Sequence, residues 1–297
     1  MSDKVIVASI VEAVLFVTGL VLLWRLFFSP TARARAALPW PLPYWDIPGY
    51  VFGLSVLRLL AVALAVQFMA TGLLKKFAPE LSPSEGLGLL IVGFSLQIGL
   101  LLGLGVSWLL LKGNRFQARL NAMGAPSTLP PPLSLSRIPA AGIATFLIMI
   151  ALISPVMLFW PSLLEGIGQS PQPQEVIELF AKANSPFQIA LILFFAVVVA
   201  PVTEELLFRA GIFRYVRGRI PRIPAFILPA LIFAAAHRSL TAGLPLFIFG
   251  LVQQVAYERT GRIAVPMIAH GLFNLHTSAF ILWGVDPYTA AIDWFSK

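Results

Sequence analysis

Apolar residues in this chain run in long blocks rather than in alternating or striped patterns, and short stretches rich in charge separate the blocks. A helix that crosses a bilayer needs about 20 consecutive apolar residues. Blocks of that kind predict spanning helices over Val5–Phe28, Ile47–Leu74, Leu87–Leu111, Ile138–Trp160 and from Phe187 to about Gly218. Three shorter ones follow at Ile223–His237, Leu244–Tyr257 and Ile263–Trp283. The pattern predicts an all-α, polytopic transmembrane helical bundle of about eight spans. Residues 161–186 break it, being richer in Pro, Gln and Glu, and within them Glu175–Lys182 reads as a short amphipathic helix outside the bilayer. The chain therefore divides into four N-terminal spans (1–160), an extramembrane connector (161–186) and a C-terminal helical region (187–285). No internal repeat of the transporter kind is visible.

Composition agrees with this class: 58% of residues are hydrophobic and 11% charged, far from the balance of a soluble domain. With no cysteine, disulfides, thiolate-bound zinc and thiol nucleophiles are excluded. The net charge of +8 lies mostly in loops, which makes it a topology signal and not a nucleic-acid surface. Fourteen of the 21 Lys and Arg fall after the first, third, fifth and seventh spans, and six on the other side, with Arg58 inside a span. The bias predicts a cytoplasmic face for the richer side and both termini opposite it. Trp40, Tyr44 and Trp45 suit the interfacial aromatic belt. The first span is too long for a cleavable signal and is expected to stay in an integral, multi-pass protein of the bacterial cytoplasmic (inner) membrane.

Ionisable groups inside the apolar blocks are the candidates for chemistry, because membrane depth makes them costly. Glu204 and Glu205 are adjacent, one turn beyond Pro201. Successive helical residues point about 100° apart, so the two carboxylates face different ways. Glu205 and Arg209 stand at i,i+4 with the acid first, the better order for an ion pair, which leaves Glu204 to face a cavity. Pro201 removes one helical hydrogen bond and is expected to open the helix a turn before Glu204. His237 ends one span, while His270 and Asn274, also at i,i+4, share a face of the last. A rise of about 1.5 Å per residue puts Glu204 about 15–21 Å from the basic end of its helix. By the same measure His237 lies about 22 Å, His270 about 12 Å and Asn274 about 18 Å from theirs. His276 falls on another face and is expected to pack. Glu12 and Arg58 are expected to pair across the first two spans. Gly99 and Gly103 form a close-packing pattern in the third.

Two chemistries fit the Glu, His, His and Asn set. A metal site would take Glu204, His237 and His270, the ligand types of hydrolytic zinc centres. A metal-free site would use Glu204, helped by His237, to activate water, and His270 with the Asn274 amide to hold an oxyanion.

Glu204-Glu205-x-x-x-Arg209, Phe233-x-x-x-His237 and His270-x-x-x-Asn274, in this order, resemble the three motifs of the CPBP (Abi) family, membrane endopeptidases similar to the type II CAAX prenyl protease. The resemblance covers about Phe187–Trp283. It implies an eight-helix intramembrane peptidase with Glu204, His237, His270 and Asn274 catalytic and Glu205 and Arg209 supporting. The substrate would be a membrane protein or peptide, no cofactor is expected, and zinc stays open. The rival readings are a non-catalytic membrane protein of the same fold, such as a bacteriocin-immunity or scaffold protein, and a proton-coupled transporter.

Overall fold

The computed structural model describes residues 3–36, 40–43, 45, 47–81, 86–111, 130–169, 179–180, 182–183 and 185–285. Among them every regular element is helical. The order is α1 (Asp3–Phe28), α2 (Pro30–Ala36), α3 (Gly49–Phe77), α4 (Gly86–Leu111), α5 (Ile138–Gly166), α6 (Pro186–Arg217), α7 (Arg222–Ala236), α8 (Leu240–Thr260) and α9 (Ala264–Trp283). Seven of these are long and apolar enough to cross a membrane: α1, α3, α4, α5, α6, α8 and α9. The remaining apolar helix, α7, has 15 residues, so it reaches only about 22 Å and is shorter than the hydrocarbon core. The protein is an integral, multi-pass α-helical membrane protein, in line with the eight expected spans.

The chain separates into two compact units interleaved along the sequence. The first combines Met1–Leu42, Leu129–Ile177 and Ile220–Lys297, and so holds α1, α2, α5, α7, α8 and α9. The second combines Pro43–Thr128 and Glu178–Arg219, and holds α3, α4 and α6. The consecutive segments drawn from the sequence thus follow a different principle from the packing.

In the first unit α5 is the central helix, packed against α1, α8 and α9, with Met149, Ile150 and Ile153 buried in it. Small residues set the closest approaches. Gly19 of α1 faces the Leu147 backbone and Ala151 of α5, Gly142 of α5 faces Ile268 of α9, and Gly250 of α8 faces Ala230 of α7. Lipid offers apolar side chains as good a solvent as the protein does, so such close van der Waals contact does much of the holding. The α8–α9 turn closes with Gly261 at φ +63, a left-handed C-cap whose N–H returns to the Tyr257 carbonyl at 2.8 Å.

In the second unit α3 and α4 pack along their length. Gly99 meets Ala63, and Gly103 meets Leu59. The small-residue spacing in the third span therefore marks a real helix contact. The start of α6 is fixed by Ser185, whose hydroxyl accepts from the Gln188 N–H at 3.2 Å, with Pro186 in the first turn. Phe94 of α4 stacks on Phe195 of α6.

The basic ends carry aromatic and backbone partners, as an interfacial belt requires. In the first unit the Arg259 guanidinium lies over Phe27 and Trp40 and donates to the Leu26 carbonyl at 2.9 Å. In the second, Arg214 donates to Pro43 O at 2.6 Å, and Arg219 to the carbonyls of Trp45 and Ile47. Tyr44, Lys112, Arg115, Arg119 and most of Glu175–Lys182 lie outside the described residues.

Three expectations change. The fourth span does not stop at Trp160: α5 continues through Pro161 to Gly166, since a proline late in a membrane helix costs little when neighbouring groups satisfy the freed carbonyl. Arg209, counted with the interfacial cations, is fully buried inside α6. Glu12, expected to pair with Arg58, bonds His276 and Ser154 within the first unit.

Candidate functional site

The candidate carboxylates lie on α6, in the second unit. This helix alternates between α and π geometry, with π turns at Phe195–Val199 and Glu205–Phe213 flanking the α turn Ala200–Glu204. Pro201 supplies the local cause, because it has no N–H to give to the carbonyl a turn earlier. The Ala200 N–H reaches back five residues to Phe195 O, and the Thr203 hydroxyl donates to Val199 O at 2.8 Å. The helix is opened next to Glu204, as Pro201 predicts. Wide turns of this type gather at functional sites.

Glu205 and Arg209 are both 0% exposed, and Arg209 Nε lies 3.2 Å from Glu205 Oε2. The i,i+4 pair read from the sequence is therefore present. Removing two charges from water is costly unless they meet, and here they neutralise each other inside apolar helices. Glu204, one residue earlier, is only partly buried. The two adjacent carboxylates thus differ in environment: Glu205 is wholly buried in its pair with Arg209, and Glu204 is partly buried, with its Oε2 shut off from solvent.

The candidate imidazoles lie in the first unit. His237 caps the C-terminus of α7 and is exposed. Its Nδ1 lies 2.8 Å from the Phe233 carbonyl. A carbonyl only accepts, so Nδ1 carries the proton and Nε2 of the neutral ring is the basic nitrogen. The next residue, Arg238, is at φ 54, a left-handed conformation rare for a residue with a side chain. The turn that presents His237 is thus a strained one.

His270, on α9, is 4% exposed and lies in an aromatic setting. Its ring meets Phe249 edge-on at 4.7 Å and Phe233 at 6.4 Å. Phe233 also packs against His237, with ring centres 4.7 Å apart. The first unit therefore gathers the two imidazoles around one phenyl ring. Asn274, one turn beyond His270, is partly buried on the same helix. Among the described residues, no third acid or imidazole of this unit joins His237 and His270 in a metal-ligating group.

His276 takes a different path. Its Nε2 is 2.9 Å from Glu12 Oε2, and Ser154 Oγ is 2.7 Å from Glu12 Oε1. The expected packing role for His276 becomes a polar tie from α9 to α1 and α5. No local spacing announces it, because 264 residues separate Glu12 and His276. Gln253 and Gln254 in α8 were not singled out either; the signal available was two adjacent amides in an apolar span, which must be hydrogen-bonded to be tolerated.

The structure thus brings Glu205 to Arg209 in one unit and His237 to His270 in the other, with Glu204 beside the first pair and Asn274 beside the second. Residues 186–276, which contain all six, match the family model described as Rce1-like, type II CAAX prenyl endopeptidase Rce1-like. The chain is also 35% identical over 115 residues to the membrane-embedded CAAX protease MroQ of Staphylococcus aureus (strain USA300), an alignment covering 37% of this chain and 44% of that protein. The match therefore spans less than half the length of this curated relative. No solved structure matches the chain significantly. The three motifs, their order and these two matches agree, and the C-terminal region of the chain is similar to type II CAAX prenyl endopeptidase Rce1-like membrane proteins.

Proposed function

We propose that this protein is an intramembrane endopeptidase that hydrolyses a peptide bond of a membrane protein or membrane-bound peptide, within or near the cytoplasmic leaflet of a bacterial inner membrane. The observation that carries the reading is the division of labour between Glu204 and Glu205. Arg209 holds Glu205 as a buried, neutralised pair, so its carboxylate is committed to structure. Glu204 is only partly buried, at the end of the α turn between two π turns, and is the carboxylate we assign to take a proton from water.

His237 fits the same task. With its proton on Nδ1 toward Phe233 O, Nε2 is the nitrogen able to share the work of a base. Water activated in this way attacks the scissile carbonyl, and negative charge develops on its oxygen. His270 and the Asn274 amide, one turn apart on α9, are the donors for that oxyanion. The proton taken from water then passes to the leaving amine, and the products are a new carboxylate and a new amine. Because the relative is a CAAX protease, the C-terminal tail of a membrane protein is the first substrate class to test.

The reading uses no metal. If zinc takes part, Glu204, His237 and His270 are the residues to hold it. Elemental analysis of active protein before and after chelation decides this. We expect full peptide cleavage at well below one metal per chain. One equivalent of zinc that leaves with activity and restores it on return would overturn the metal-free route. The test of the enzymatic reading itself is cleavage of membrane-anchored peptides by purified protein in liposomes, with Glu204→Gln as the inactive control.

A further inference from the structure

Gln253 and Gln254 lie side by side in the middle of α8, 0% and 1% exposed. Successive helical side chains diverge by about 100°, so the two amides reach in different directions. Gln253 Nε2 donates to the Pro266 carbonyl of α9 at 2.8 Å. In the α-helical register that carbonyl lies one turn before His270 and faces its backbone N–H. Gln254 reaches α7. With its NH2 toward a carbonyl and its oxygen toward an N–H, as those neighbours require, it donates to Phe226 O at 2.7 Å and accepts from Ala230 N at 3.1 Å.

Phe226 O and Ala230 N–H are normally partners of each other in an α-helix. The Gln254 amide therefore bonds both groups of one rung of the α7 ladder, at the turn that contains Pro229. Gly250, one turn earlier on α8, lets the two backbones approach at Ala230. Three residues beyond Ala230 is Phe233, the ring that both imidazoles pack against. One helix thus grips the His237-bearing helix with one glutamine and the His270-bearing helix with the next.

We propose that Gln253 and Gln254 are positioning residues, which set the spacing of His237 and His270 through α7 and α9. Without the Gln254 amide α7 loses its polar tie to α8 at that rung and is free to carry Phe233 and His237 to a new angle. Losing the Gln253 bond frees the turn before His270. Neither change empties a cavity when the replacement is Met. The effect falls on geometry more than on folding. The proposal rests on the catalytic reading of the two histidines, and its test separates the two.

The chain has no cysteine, so spin labels go only where they are placed. Labels at Leu231→Cys on α7 and Leu275→Cys on α9, both lipid-facing at 50% and 44% exposure, report the α7–α9 distance in liposomes. We expect Gln253→Met and Gln254→Met to shift or broaden that distance and to lower kcat by roughly 10- to 100-fold, with KM within about twofold, as misplacement of catalytic groups by an ångström does. Gln253→Asn and Gln254→Asn keep the amide but fall short of their partners, and they give the same shift should the Met variants not fold. Glu204→Gln keeps the wild-type distance. A distance that responds while no variant, wild type included, cleaves peptide sinks the catalytic reading alone. Unchanged distance and kcat in the glutamine variants, with or without a lower unfolding midpoint, overturn the positioning role.

Discussion

Glu204→Gln abolishes peptide hydrolysis while the protein folds, inserts and melts as the wild type does. The amide has nearly the volume of the carboxylate but cannot accept a proton from water at neutral pH. Positioned general bases contribute about 10²- to 10⁴-fold, so kcat should fall by at least the middle of that range. KM should hardly move, because the lost interaction acts in the transition state rather than in substrate binding. The assay is single-turnover cleavage in liposomes alongside thermal unfolding in detergent. A Glu204→Gln variant within tenfold of the wild-type rate would mean that this residue is not the base. What separates Glu204 from Glu205 in this expectation is that it is only partly buried, whereas Glu205 is 0% exposed in its ion pair with Arg209.

The second large effect is on stability. Arg209→Ala removes the cation that meets Glu205, and Glu205→Gln removes the anion 3.2 Å from Arg209 Nε, each side chain being 0% exposed. Breaking a buried pair from one side costs about 3–5 kcal/mol, whereas replacing both partners by apolar residues of similar volume is often close to neutral. Arg209→Ala should therefore lower the unfolding midpoint and the yield in membranes sharply, and Glu205→Leu combined with Arg209→Met should recover most of the loss. Midpoints measured in detergent for the two single variants and the double variant give the comparison. An unchanged midpoint with lost activity in Arg209→Ala would instead assign chemistry to Glu205.

The outcomes at particular residues show which features a sequence displays. The Glu205–Arg209 pair was legible because a helix fixes i,i+4 neighbours whatever surrounds them. The contacts at Gly99 and Gly103 were legible because close helix approach needs small residues at a fixed spacing. The opening before Glu204 followed from Pro201, but the extent of the π geometry did not, since a five-residue hydrogen bond has no residue signature of its own.

Long-range polar partners were hidden. Arg209 carries the same charge as the interfacial arginines, and only burial tells it apart. Glu12 could have met any cation of the bundle, and its choice of His276 and Ser154 is set by how α1, α5 and α9 pack. The end of α5 was misjudged because Pro161 stops helices in water more firmly than at a membrane surface. The two glutamines of α8 carry no charge and so do not stand out in an apolar span, even though their burial makes the same demand for partners.

The central claim is that this chain hydrolyses peptide bonds with water activated at Glu204. Its most direct test is terminal proteomics on purified protein in liposomes, supplied with membrane proteins of the host in ¹⁸O-labelled water. The account predicts new C-termini, each carrying one ¹⁸O atom from water, produced by the wild-type protein and missing with Glu204→Gln. The absence of any new C-terminus above a protein-free control, or equal production by Glu204→Gln, would contradict it.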